Sequence, residues 1–204
     1  MGKVLIITDV QNDFCPGGAL AVSEGDTIIP AINVLSPRFE RVIATQDWHP
    51  ARHVSFAQTH GRREYEVIKV DGIEQVLWPP HCVAGTSGAE FHKDLNTENV
   101  DLILRKGTRP LLDSYSVFLE NDKKTETGLH YYLKGLQLQD VYLCGLTTDY
   151  CIFFSAMDAK DYGFNVFVIL DACKGIDMPE GSLPAAVDTM RNAGVHLIYH
   201  DAIR

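Results

Sequence analysis

The chain has 204 residues, of which 46% are apolar and 22% charged, and a formal charge of −9 at pH 7. The length suits one well-buried domain and is short for two, and the composition is that of an ordinary globular protein. The acidic balance argues against nucleic acid and anionic membranes as partners, because both select a basic surface.

The N-terminal stretch MGKVLIITDV enters a strand-like run at once and shows no small-residue cleavage site. The longest apolar runs, Val4–Ile7 and Val166–Leu170, fall far short of a membrane span. A cytoplasmic protein is therefore expected. The five cysteines (Cys15, Cys82, Cys144, Cys151 and Cys173) are odd in number and show no CxxC pair. They predict reduced thiols rather than a disulfide scaffold.

In chain order, a strand is expected over Lys3–Thr8, a helix over Asp26–Leu35 and a strand over Arg41–Thr45. Strands follow at Asp101–Arg105, Asp140–Cys144, Asn165–Leu170 and Val195–Tyr199, with helices around Thr125–Lys134, Asp149–Tyr162 and Gly181–Ala193. Gly163 and Gly194 stand where helix ends belong. The strand runs are apolar on both faces, as in strands covered on both sides. Alternating strands and helices predict an α/β fold: a six-stranded, mainly parallel sheet with helices on both faces, one domain over 1–204. Residues 46–100 break the rhythm with Pro50, Pro79, Pro80 and five histidines (49, 53, 60, 81 and 92). A loop region this long inside a compact domain is usually functional.

Ligands of open parallel sheets bind beyond the carboxyl ends of the strands. The residues just past those ends are Asp9, then Gln46 and Asp47, then Lys106, then GLTTDYC (145–151), then Asp171, then His200 and Asp201. Asp9, Lys106 and Cys151 make a base, a cation and a nucleophile. Singly, each has a bland reading: a loop acid, a solvated lysine, a packing cysteine. Cys151 falls in the expected first turn of the Asp149–Tyr162 helix, where the helix dipole and a nearby ammonium would lower its pKa. Unpaired N–H groups there suit an oxyanion.

A second set is Asp47-Trp48-His49, with His81 in WPPHC. Residues two apart in an extended segment point the same way, so Asp47 and His49 can reach one metal ion. Two imidazoles and a carboxylate leave positions open for water or substrate. His53 and Ser55 could complete such a site or support it. The remaining histidines (60, 92, 130, 196 and 200) read as surface or packing residues.

Five ordered blocks now stand together: TDVQNDFCPGGAL (8–20), TQDWHPARHVSFA (45–57), WPPHCV (78–83), RKGT with DSYSVF (105–118), and GLTTDYC (145–151). Through them the chain resembles the nicotinamidases of the isochorismatase-like cysteine hydrolases over nearly its whole length. The resemblance implies hydrolysis of nicotinamide to nicotinate and ammonia in NAD salvage, with pyrazinamide as a further substrate. It implies Asp9 as base, Lys106 as the third triad member and Cys151 as nucleophile. It also implies a divalent metal, usually zinc with iron or manganese as alternatives, on Asp47, His49 and His81. Phe14, Trp78 and Tyr115 match the aromatics that enclose the pyridine ring. The N–H groups of Thr147, after a cis peptide, and of Cys151 match the oxyanion hole. Threonine at 147 departs from the commoner alanine, which bears on substrate preference.

The oligomeric state is open, a homo-oligomer included. Three other readings stand beside this one: metal-activated water with Cys151 as bystander, a related hydrolase of another amide or an isochorismate-type ether, and a binding protein on the same scaffold.

Overall fold

The computed structural model describes residues 2–203. β1 (Gly2–Thr8) carries Val4–Ile7, all fully buried. A run apolar on both faces can only be a strand covered on both sides. A short helical turn at Gly25–Ile28 leads into α1 (Ile29–Leu35), whose second residue is Pro30. Proline fits there because the first helical N–H groups have no partner to lose. β2 (Arg41–Asp47) follows.

The expected irregular region holds its own small elements. α2 (Ala57–His60) is one turn, and β3 (Val67–Val70) pairs antiparallel with β4 (Ile73–Val76). The hairpin turns on Asp71-Gly72, both at positive φ. Asp-Gly is a strong signal for such a turn, and it lies inside residues 46–100, which read as a long loop region.

β5 (Leu102–Lys106), α3 (Leu129–Gly135), β6 (Leu138–Leu146), α4 (Phe153–Asp161), β7 (Asn165–Lys174), α5 (Ser182–Asn192) and β8 (His196–Ile198) complete the chain. Six strands form one sheet in the order β5-β2-β1-β6-β7-β8. Every pairing in it is parallel, as expected from the alternation of strands and helices. The six expected strands all appear. β7 runs four residues past its expected end, so Asp171 lies inside that strand and pairs with His200 at the surface. No helix among the described residues is long and apolar enough to cross a membrane.

The strand order reverses at the centre. From β1 the chain moves to β2 and β5 on one side, then returns to β6 and continues outward on the other. The carboxyl ends of β1 and β6 therefore flank the switch point where open α/β sheets bind ligands. β1 and β6 run in register to Thr8 opposite Gly145. Gly145 has φ 113, and a Cβ there would collide with the Thr8 carbonyl. Only glycine lets the two strand ends approach this closely.

Candidate active site

Asp9 leaves β1 at the switch point, fully buried and at φ 50. Its Oδ1 accepts a hydrogen bond from the Thr45 hydroxyl at 2.6 Å, and its N–H donates to Thr45 Oγ1 at 3.2 Å. Its Oδ2 lies 2.9 Å from Lys106 Nζ. Lys106 ends β5 with its side chain wholly buried. The ammonium also reaches Asp47 Oδ1 at 2.5 Å, the Ser114 carbonyl at 3.1 Å and Cys151 Sγ at 3.4 Å. A buried ammonium is tolerable only with such partners. Asp9, Lys106 and Cys151, far apart in sequence, thus form one contact network.

The charges shape one another. Burial would pull the Lys106 ammonium down, but Asp47, Asp9 and Cys151 carry its pKa well above the ordinary value. Burial raises Asp9 despite the lysine beside it. Burial also pushes the Cys151 thiol well up, with Lys106 opposing and Asp9 and Asp47 adding to the rise. This corrects the expected low thiol pKa. Cys151 sits in a π-helical turn (Thr148–Ile152) ahead of α4 and is 5% exposed. Desolvation there outweighs the cation and the helix terminus. The resting thiol keeps its proton and needs a base, and an Asp9 carboxylate oxygen stands within 4.8 Å of the sulfur.

Asp47, at the end of β2, faces two imidazoles. His49 Nε2 lies 3.6 Å and His81 Nε2 4.0 Å from Asp47 Oδ2. His49 Nδ1 is 2.9 Å from the Gly107 carbonyl, and His81 Nδ1 is 2.8 Å from the Pro79 carbonyl. Each Nδ1 must therefore be the donor, which leaves each Nε2 lone pair toward the carboxylate. A Cβ at Gly107, which has φ 61, would run into the His49 ring. Burial would raise Asp47, but Lys106 and the imidazoles hold it far below the carboxylate range. Burial would lower His49, yet Asp47 raises it, whereas His81 falls to about 4 through burial and the neighbouring His49. One ligand atom from each of the three residues lies within 4.8 Å of the others. Two imidazole lone pairs and a carboxylate fit a divalent cation.

The other two ligand candidates stand outside that group. His53 stacks on His49 with ring centres 4.2 Å apart, and its nitrogens meet Ser55 Oγ at 2.7 Å and the Leu112 carbonyl at 3.3 Å. Ser55 is thus committed to His53. Both buttress His49 rather than surround Asp47.

A narrow cavity opens between the two groups, lined by Phe14, Leu20, Asp47, Trp78, His81, Tyr115, Thr147, Tyr150, Cys151 and Ile176. Trp78 Nε1 donates to the Tyr115 hydroxyl at 3.2 Å, and the Tyr150 ring meets Trp78 edge-on at 4.9 Å. The peptide bond between Leu146 and Thr147 is cis.

The isochorismatase domain profile matches residues 3–202. The chain belongs to the isochorismatase family. A nicotinamidase of Acinetobacter baylyi is 49% identical over 195 residues, covering 95% of this chain and 91% of that protein. The structure of an Acinetobacter baumanii nicotinamidase/pyrazinamidase superposes with a TM-score of 0.97 at 50% identity, over 100% of this chain and 98% of that one. The pyrazinamidase of Pyrococcus horikoshii, solved in complex with zinc, superposes with a TM-score of 0.79 at 36% identity, over 98% and 99%.

Of the residues expected in the triad, the metal group and the ring wall, Phe14, Asp47, Trp78, His81, Tyr115 and Cys151 line the cavity, and Asp9, Lys106 and His49 lie behind them in the contacts described above. Thr147 and three others line it as well. Leu20 and Ile176 complete the apolar wall, and Tyr150 adds a third aromatic beside Trp78 and Tyr115. Asp149, expected to start the helix, instead accepts bonds from the N–H groups of Ile176 and Asp177 and from the Ser182 hydroxyl. It fixes the loop that carries Ile176. Gln11 clamps Asp47 by both its N–H and its carbonyl, each at 2.8 Å. Gln11 and Thr45 lie inside the quoted motif blocks, but nothing local in the sequence marks them as partners of residues 36 positions away.

Proposed function

We propose that the protein is a nicotinamidase that hydrolyses nicotinamide, and also pyrazinamide, to the acid and ammonia, serving NAD salvage in the cytoplasm. The observation that carries this reading is the single cavity where Cys151, 3.4 Å from Lys106, meets the Asp47–His49–His81 group under an aromatic wall. The high-identity nicotinamidase relatives support it.

Phe14, Trp78 and Tyr115 hold the pyridine ring. Asp47, His49 and His81 would hold a divalent ion, zinc first among the candidates, which would supply a Lewis acid toward the ring nitrogen. Asp9 takes the Cys151 proton, and the sulfur attacks the carboxamide carbon. The N–H groups of Thr147 and Cys151 hold the oxygen as it gains charge. Asp9 returns its proton to the nitrogen, the C–N bond breaks and ammonia leaves a thioester on Cys151. Asp9 then accepts a proton from water as that water attacks the thioester, and Cys151 leaves as the thiol. Lys106 keeps its charge throughout and balances Asp9 and the developing thiolate. Its contact with sulfur disfavours the reading in which Cys151 is a bystander.

The test is ammonia release from nicotinamide by the purified protein, with metal content measured on the same sample. Turnover that depends on bound metal is expected. No release from the metal-loaded protein would overturn the assignment.

A further inference from the structure

Three residues that carry a hydroxyl line the cavity, among the described residues. That of Tyr115 accepts from Trp78, and that of Tyr150 donates to the Met178 carbonyl. The third, Thr147 Oγ1, is buried and has no protein partner. Thr147 is 5% exposed. Its carbonyl accepts from the N–H groups of Tyr150 and Ile152 at 3.2 and 3.0 Å, so the residue is fixed at the start of the turn that presents Cys151. Burying a hydroxyl with no partner costs free energy, and such a group calls for a reason. A bound ligand that completes the bond is that reason here, because the same residue lines the cavity.

Which ligand atom completes it follows from counting donors and acceptors. A primary carboxamide brings one oxygen and two N–H groups. On the nicotinamidase reading, on which this inference rests, backbone N–H groups serve the oxygen. The N–H groups need acceptors, and the two nearby carboxylates already face cations or donors: Asp9 faces Thr45 and Lys106, and Asp47 faces Lys106 and the imidazoles. Thr147 Oγ1 has unused lone pairs. We infer that Thr147 is a specificity-determining residue whose hydroxyl oxygen accepts a hydrogen bond from the substrate –NH2, favouring a primary amide over the matching ester.

Thr147→Val keeps the shape and removes the acceptor, and Thr147→Ser restores it. Methyl nicotinate keeps the ring and the carbonyl but has no N–H. Competition against nicotinamide gives its affinity whether or not it turns over. In Thr147→Val, kcat/KM for nicotinamide is expected to fall about tenfold relative to the affinity for methyl nicotinate, as for one lost neutral hydrogen bond. Thr147→Ser should recover that ratio, with thermal unfolding confirming that both variants are folded. An unchanged ratio in Thr147→Val, a parallel loss for amide and ester, or a Thr147→Ser ratio equal to that of Thr147→Val would overturn the inference. If the wild-type protein turns over nicotinamide while the ratio stays put, only the role of Thr147 falls. If the wild-type protein releases no ammonia, the nicotinamidase reading falls with it.

Discussion

The two halves of the candidate site are built by different means. Asp9, Lys106 and Cys151 stand at the ends of β1, β5 and β6 and hold one another through side chains alone. Asp47, His49 and His81 are held largely by backbone: the Gly107 and Pro79 carbonyls orient the imidazoles, and Gln11 clamps the Asp47 main chain. The first half is a charge-balanced cluster in which each group sets the protonation of the others. The second is a preformed cradle with its lone pairs already aimed. The first half should therefore fail abruptly when one member is lost, whereas the second should loosen by degrees.

The largest effect tests the first half. Cys151→Ala should lower kcat for nicotinamide by a factor on the order of 10⁴ or more, since no other group can form the thioester. Single-turnover ammonia release measures it, and near-wild-type turnover would end the cysteine mechanism. Lys106→Met should abolish activity and also cost about 3–5 kcal/mol of stability, because it leaves two buried carboxylates without their cation. Denaturant unfolding reads that cost. A cost below about 1 kcal/mol would mean that the charge balance described here is not what holds the cluster.

The second half should respond more gently. Chelation should remove activity and zinc addition should restore it, with the fold retained throughout as judged by circular dichroism. Gly107→Ala places a methyl group against the His49 ring and should weaken metal affinity by about 10–100-fold, the usual range for disturbing what supports a ligand. Chelator competition measures it. An unchanged metal affinity would show that the carbonyl support of His49 does not matter.

The smallest effect returns to the first half. Burial raises Asp9, while the Thr45 hydroxyl lowers it. A base is lost when it protonates, so kcat/KM should fall on the acid side at a pH above the ordinary carboxylate range. Thr45→Val removes a bond that favours the carboxylate, so that limb should move to higher pH. A limb that moves down or stays put would separate Asp9 from the acid limb.

Much of this was legible in the sequence. Apolar, β-branched runs alternating with helical segments predict a parallel sheet, because only strands covered on both sides can be apolar on both faces. The strand-end rule then picks out Asp9, Asp47, Lys106 and Cys151 without any alignment. The hairpin on Asp71-Gly72 had a local signal that the charges around it masked.

The thiol's protonation was decided otherwise. A helix start and a neighbouring lysine argue for a low pKa, but whether desolvation wins depends on how deeply the fold buries Cys151. The committed roles of Ser55 and His53, the partnership of Thr45 with Asp9 and the unpartnered Thr147 hydroxyl likewise exist only once the chain has folded. Sequence alone determined which chemistries were present and on which edge of the sheet they would meet, because period and spacing are local properties. Tertiary structure alone decided which proton sits where and which hydroxyl is free, because burial and hydrogen-bond partnership are properties of the folded whole.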